Sequence, residues 1–118
     1  MATRYRLFYV TTWQLIPGRA AEVRAWHSKA MRLWERLPGV RSIETYAPQF
    51  ELGAAARTLE VWTEIEDYGV LDRWDDTYAE LADDFLALAK QAAGCVQQGP
   101  SRLMGSYVGS TVSDLRSR

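Results

Sequence analysis

His27 is the only histidine in the chain and Cys95 the only cysteine. An imidazole of ordinary pKa near 6.5 can act as a general base around neutral pH. His27 falls on a helical stripe with Val23, Ala30 and Trp34, which also fits a partly buried histidine hydrogen-bonded to a backbone carbonyl. A nucleophilic Cys95–His27 pair has little to support it. Neither a helix N-terminus nor a basic neighbour stands beside Cys95 to lower its pKa.

Aromatic residues offer a second kind of chemistry. Five tryptophans occur in 118 residues. Trp26, Trp34 and Trp74 recur on stripes of helical spacing, and with Tyr78 and Phe85 they can line a pocket for a flat aromatic ligand or simply fill the core. Trp62 shares its strand face with Glu60 and Glu64. That grouping is either an aromatic wall with a proton-transferring carboxylate or a ring between two solvated glutamates. The pattern leaves open whether it faces the helices or a dimer interior. The candidate ligand-binding set is Trp13, Trp26, His27, Trp34, Trp62, Trp74, Tyr78 and Phe85, with His27 the candidate catalytic residue.

Several classes are excluded. One histidine and one cysteine cannot build a zinc site of four cysteines or of mixed cysteines and histidines. The carboxylates Asp72, Asp75, Asp76, Glu80, Asp83 and Asp84 lie off the apolar stripe without a glycine-centred calcium loop, so they read as a solvated face and no metal is expected. No G-x-S-x-G elbow and no P-loop is present. Fourteen Lys and Arg against fifteen Asp and Glu give a net charge of -1, without the basic footprint of a nucleic-acid binder. The uncharged run from Leu7 to Gly18 is too short to span a bilayer, and no targeting pattern precedes it. A lone cysteine cannot close an intramolecular disulfide, which predicts a reducing cytoplasm.

The elements that must position these residues are legible. At 13.4 kDa the chain suits one domain, expected over residues 1–112 with a polar tail over 113–118. Residues Tyr5 to Ile16 alternate β-branched and aromatic side chains on both faces and stop at Pro17-Gly18, predicting a strand with neither face fully open to water. A helix is expected over Arg19–Leu37, ended by Pro38-Gly39. Strands are expected over Val40–Ala47 and Arg57–Ile65, separated by a loop from Gln49 to Ala56. The stripe Leu71, Trp74, Tyr78, Leu81, Phe85, Leu88, Ala92 predicts one long second helix within Asp67–Ala93. Thr63 with Glu66 three residues on matches a capping box there, with Asp67 as a competing cap. Gln97–Pro100 reads as a loop, and a fourth strand is expected over Arg102–Val112.

The order βαββαβ is the ferredoxin-like split βαβ arrangement, an α+β fold with two helices on one face of a four-stranded antiparallel sheet. RNA-recognition modules share that order. Here Glu60 and Glu64 flank the one aromatic of the third strand and would repel phosphate, so RNA is not an expected partner. The uncovered sheet face predicts an apolar patch and pairing of two copies through it.

Three segments carry a family resemblance: Thr11-Thr12-Trp13-Gln14-Leu15-Ile16-Pro17-Gly18 entering Arg19-Ala20-Ala21-Glu22, the turn Leu37-Pro38-Gly39-Val40, and Leu59-Glu60-Val61-Trp62. With them the chain, from about Tyr5 to Val108, resembles the dimeric α+β barrel superfamily, nearest to its antibiotic-biosynthesis-monooxygenase-like and NIPSNAP-like groups. The resemblance implies a homodimer, and it covers cofactor-independent oxygenases of aromatic compounds as well as haem-degrading enzymes. Haem-degrading members carry a histidine early in the second helix. That position falls on Asp72 or its neighbours Leu71 and Arg73, so haem is not expected and no cofactor is assigned. The reading is a cytoplasmic homodimer that binds or converts a small apolar or aromatic compound, as a cofactor-independent monooxygenase or isomerase would. The alternative is a non-catalytic ligand-binding or accessory protein whose tryptophans only fill the core.

Overall fold

A strand apolar on both sides belongs in the middle of a sheet, and the first strand is there. The computed structural model describes residues 5–48 and 57–107. Its elements are β1 (Leu7–Leu15), α1 (Ala20–Trp34), β2 (Val40–Tyr46), β3 (Thr58–Ile65), α2 (Val70–Glu80), α3 (Ala82–Ala93) and β4 (Val96–Gly105). β1 pairs antiparallel with both β3 and β4, β2 pairs antiparallel with β3, and the sheet order is β2-β3-β1-β4. This is the α+β ferredoxin-like arrangement read from the sequence.

The helices cover the sheet face that carries Leu7, Tyr9, Thr11 and Trp13 of β1 and Val61, Thr63 and Ile65 of β3. Two apolar clusters form beneath them. One gathers Trp13, Val23, Trp26, Ala30, Val61, Cys95 and Val96, and the other gathers Leu7, Leu37, Ile65, Val70 and Trp74. Trp34 packs against both and joins them. The Pro38-Gly39 turn brings the end of the α1 segment against α2. Gly39 has a φ of 72°, and a Cβ there would run into the Val70 side chain, so only glycine fits. The Pro38 carbonyl accepts a 2.8 Å hydrogen bond from Trp74 Nε1, which locks that ring to the turn.

The expected second helix is two helices. Leu81 leaves helical geometry at φ -107° and ψ 25° and divides α2 from α3. The bonds Leu81 N–H to Thr77 O and Phe85 N–H to Leu81 O persist at 2.9 and 3.0 Å, so the apolar stripe crosses the break in phase. The capping box does not form, because Thr63 is buried within β3. Asp67 caps instead, its Oδ1 accepting the Val70 N–H at 3.2 Å. α1 ends at Trp34, and Leu37 N–H then bonds to Trp34 O in a tighter turn that still buries Leu37.

β4 begins six residues earlier than expected. Val96, Gln97 and Gln98 pair with Leu15, Gln14 and Trp13, and the ladder resumes at Ser101 opposite Thr11. Gly99 and Pro100 together face Thr12 in a bulge, which an edge strand tolerates. A Cβ on Gly99 would sit 3.2 Å from the Thr12 carbonyl oxygen. The Gln49–Ala56 loop, the strand beyond residue 107, and the limit between domain and tail lie outside the described residues.

The opposite sheet face carries no helix. It presents Phe8 and Val10 of β1, Glu60, Trp62 and Glu64 of β3, Glu44 and Tyr46 of β2, and Arg102 and Met104 of β4. The continuous apolar patch expected there is interrupted by charge. Arg6 Nε and Nη2 reach the two oxygens of Glu64 at 3.1 and 3.2 Å, and Ser42 Oγ donates to one of them at 3.3 Å. Arg102 pairs with Glu60 at 3.3 Å. The Arg6 and Arg102 guanidiniums lie 4.9 Å over Phe8 and 5.9 Å over Trp62.

Candidate functional site

Large aromatic side chains from four elements do not close completely against one another, and a cavity of about 210 Å³ remains between the helices and the sheet. Tyr9, Thr11 and Trp13 of β1 and Thr63 of β3 form its floor, with Trp26 and Trp34 of α1 as one wall. Trp74 and Tyr78 of α2 and Phe85 and Leu88 of α3 form the other. Ala89 and Gln98 also line it and are exposed, so the cavity meets solvent beside them.

Ring contacts hold these walls in place. Trp13 meets Trp26 edge-on at 4.8 Å between centroids, Tyr9 meets Trp74 at 5.7 Å, and Tyr78 meets Phe85 at 4.6 Å. Trp13 Nε1 donates to Thr11 Oγ1 at 3.1 Å. Burial, followed by the nearby Tyr9 and Asp75, pushes the Tyr78 phenol above its ordinary pKa, so it stays protonated at neutral pH. None of the lining residues is an acid, a lysine, an arginine or a histidine. Binding there relies on apolar contact and neutral hydrogen bonds.

Six of the eight residues singled out from sequence, Trp13, Trp26, Trp34, Trp74, Tyr78 and Phe85, meet at this cavity. His27 does not line it. Its Nε2 lies 2.7 Å from Thr45 Oγ1, a hydroxyl in place of the expected carbonyl, and Met31 Sδ stands 3.7 Å from the same hydroxyl. Burial lowers the imidazole pKa below its ordinary value. His27 lies instead in a separate depression with Leu15, Pro17, Arg24 and Arg57 at the start of α1.

Trp62 is on the uncovered face, which settles the question its pattern left open. Its Nε1 donates to Glu60 Oε1 at 3.0 Å, and its ring meets Phe8 and Tyr46 edge-on at 5.4 and 6.1 Å. Glu64 is not a solvated end residue but is 4% exposed under Arg6. Cys95 is wholly buried, and that burial raises its thiol pKa. All six carboxylates from Asp72 to Asp84 are exposed. Among the described residues, no three His, Cys, Asp or Glu side chains gather where they could hold a metal ion.

Tyr9, Thr11, Thr63 and Gln98 were absent from the candidate set. Tyr9 and Thr11 were recoverable, since they alternate with Trp13 on one strand face. Gln98 was not, because its segment reads as a loop.

Solved structures of known proteins share this architecture. SnoaB from Streptomyces nogalater, a cofactor-independent oxygenase, superposes with a TM-score of 0.61 at 14% identity over 94% of this chain and 100% of its own. HapK from Hahella chejuensis gives 0.59 at 15% identity, over 92% and 98% of the two chains. A candidate antibiotic biosynthesis monooxygenase from Bordetella bronchiseptica gives 0.59 at 16% identity, over 88% and 97%. The chain has the antibiotic-biosynthesis-monooxygenase-like fold. No family model matches the sequence, and no curated protein matches it. Within the monooxygenase-like fold, this chain builds its cavity from indoles and phenols, and the start of its α2 holds Leu71, Asp72 and Arg73 and no histidine. Among the described residues, no helix is long and apolar enough to cross a membrane.

Proposed function

We propose that this chain binds a small apolar or aromatic molecule in the cavity between its helices and sheet, and oxidises it without a cofactor. The aromatic cavity carries this reading. A space near 210 Å³ exceeds the roughly 150 Å³ that holds benzene and falls below the roughly 300 Å³ or more of drug-sized pockets. One or two rings fit. SnoaB, with the same fold, is a cofactor-independent oxygenase, and in such a reaction the substrate supplies every electron, a CH2 group and O2 giving C=O and water.

Two copies pair through the uncovered sheet face, where Trp62, Phe8 and Tyr46 with their interleaved ion pairs are buried. The buried lone cysteine suits a reducing compartment such as the cytoplasm. A second reading, a binding or accessory protein without catalysis, is favoured by the lack of any charged acid or base on the cavity wall.

Titration with 1-naphthol, followed by quenching of tryptophan fluorescence, is expected to saturate at one molecule per chain. Ala89→Trp, which fills the mouth, is expected to abolish saturation while the thermal midpoint holds. Oxygen uptake with bound naphthol supports the oxygenase, binding without uptake supports the accessory role, and no saturation overturns both.

A further inference from the structure

The hydrogen-bonding capacity of the cavity is unequal. The Trp13 and Trp74 indole N–H groups donate to Thr11 Oγ1 and Pro38 O. The Trp26 indole N–H donates to no atom among the described residues, although Trp26 is only 1% exposed. No fully buried side-chain nitrogen or oxygen among those residues lacks a partner, so the Trp26 nitrogen must touch open space. The open space that Trp26 lines is the cavity. The Tyr78 hydroxyl also has no partner among the described residues, and it is protonated at neutral pH. An indole nitrogen donates and cannot accept. The cavity therefore offers spare donors and no charge to balance a charge, and its other polar lining, the Tyr9, Thr11 and Thr63 hydroxyls and the Gln98 amide, is neutral.

We propose that the cavity selects uncharged ligands of one or two rings that carry a hydrogen-bond acceptor such as a ketone oxygen, and that the unpaired N–H of Trp26, together with the Tyr78 hydroxyl, determines that specificity. The inference rests on the reading of the cavity as a ligand site and adds which ligands it takes. An apolar ligand without an acceptor displaces water and leaves the indole N–H without a partner, and a carboxylate must shed its water with no cation to replace it. A neutral ketone avoids both penalties.

The test compares three bicyclic probes by calorimetry: 1-tetralone, its hydrocarbon counterpart tetralin, and 1-naphthoate. The ketone is expected to bind about fivefold tighter than tetralin and more than about tenfold tighter than the carboxylate. Its affinity is expected to be level between pH 6 and 9. Trp26→Phe keeps a ring and removes the N–H, so it is expected to shrink the gap between tetralone and tetralin. Tyr78→Phe is expected to act in the same direction, and it serves as the test if Trp26→Phe does not fold. Equal binding of tetralone and tetralin overturns this inference and leaves the cavity reading standing. Naphthoate binding as tightly as the ketone overturns it too. If none of the three binds, the cavity reading fails along with it.

Discussion

Tryptophan occurs on both faces of this sheet and meets opposite surroundings. On the helix side, Trp26 is 1% exposed among rings and aliphatic chains, and no charged side chain reaches the cavity it lines. On the other side, Trp62 is half-buried, bonded to Glu60 and capped by Arg102. The first region suits a neutral guest held by shape, because charge there would be desolvated without compensation. The second suits a partner surface of fixed register, since its aromatic rings are divided by ion pairs that a matching copy can meet.

Removing one ring from each region separates them most sharply. Trp26→Ala deletes a fully enclosed indole and is expected to cost about 3–5 kcal/mol in urea unfolding. Trp62→Ala is expected to cost under about 2 kcal/mol within the chain and to weaken pairing of two copies, read by sedimentation equilibrium at micromolar concentration. Equal stability losses, with no change in association, would erase the distinction between the two faces.

The same pair of residues shows how far the sequence can be read. Helical spacing places Trp26, Trp34, Trp74 and Tyr78 on inward stripes because each helix has one covered face, and the cavity follows from their bulk. Trp62 could not be assigned that way. β3 alternates Leu59, Val61 and Thr63 with Glu60, Trp62 and Glu64, and an indole fits either side of a pleated strand. The break at Leu81 left no trace because neither proline nor glycine marks it and the stripe crosses it in phase. β4 was misplaced because Gly99 and Pro100 belong to a bulge on an edge strand, where they look like a loop.

With no charged group on the cavity wall, the helix side has one group that titrates near neutrality, His27, and it stands outside the cavity. Burial lowers its folded pKa, so the unfolded chain takes up the proton first as the pH falls. Its contribution is therefore full above about pH 6.5, declines as the pH drops below that value, and levels off beneath the depressed folded pKa. His27→Gln can keep a hydrogen bond to Thr45 and cannot titrate. The stability difference between wild type and His27→Gln is expected to shrink from pH 8 to pH 5. A difference constant with pH would place the imidazole in full contact with water.

The smallest effect is expected where charge meets neither an aromatic ring nor the aromatic cavity. On the outer seam between α1 and α3, Arg36 Nη1 lies 3.8 Å from Asp84 Oδ2, and both side chains are more than half exposed. The α1 segment from Arg19 to Leu37 sets five basic residues against two acidic ones, and the segment from Asp67 to Ala93 sets seven acidic against two basic. The attraction is real but faces water, so it is worth about 0–1 kcal/mol and is screened by salt over roughly 8 Å at physiological ionic strength. Arg36→Glu replaces attraction with repulsion and is expected to lower the unfolding midpoint slightly at low salt, with the loss fading in 1 M salt. The neighbouring Arg32 bonds its own helix at Ser28 O, 3.3 Å away, so Arg32→Glu is expected to do less. A loss unchanged by salt would mean that the Arg36 stem packs on the seam as hydrocarbon. The outer seam would then behave like the aromatic interior, and the electrostatic contrast would be confined to the face that carries Trp62.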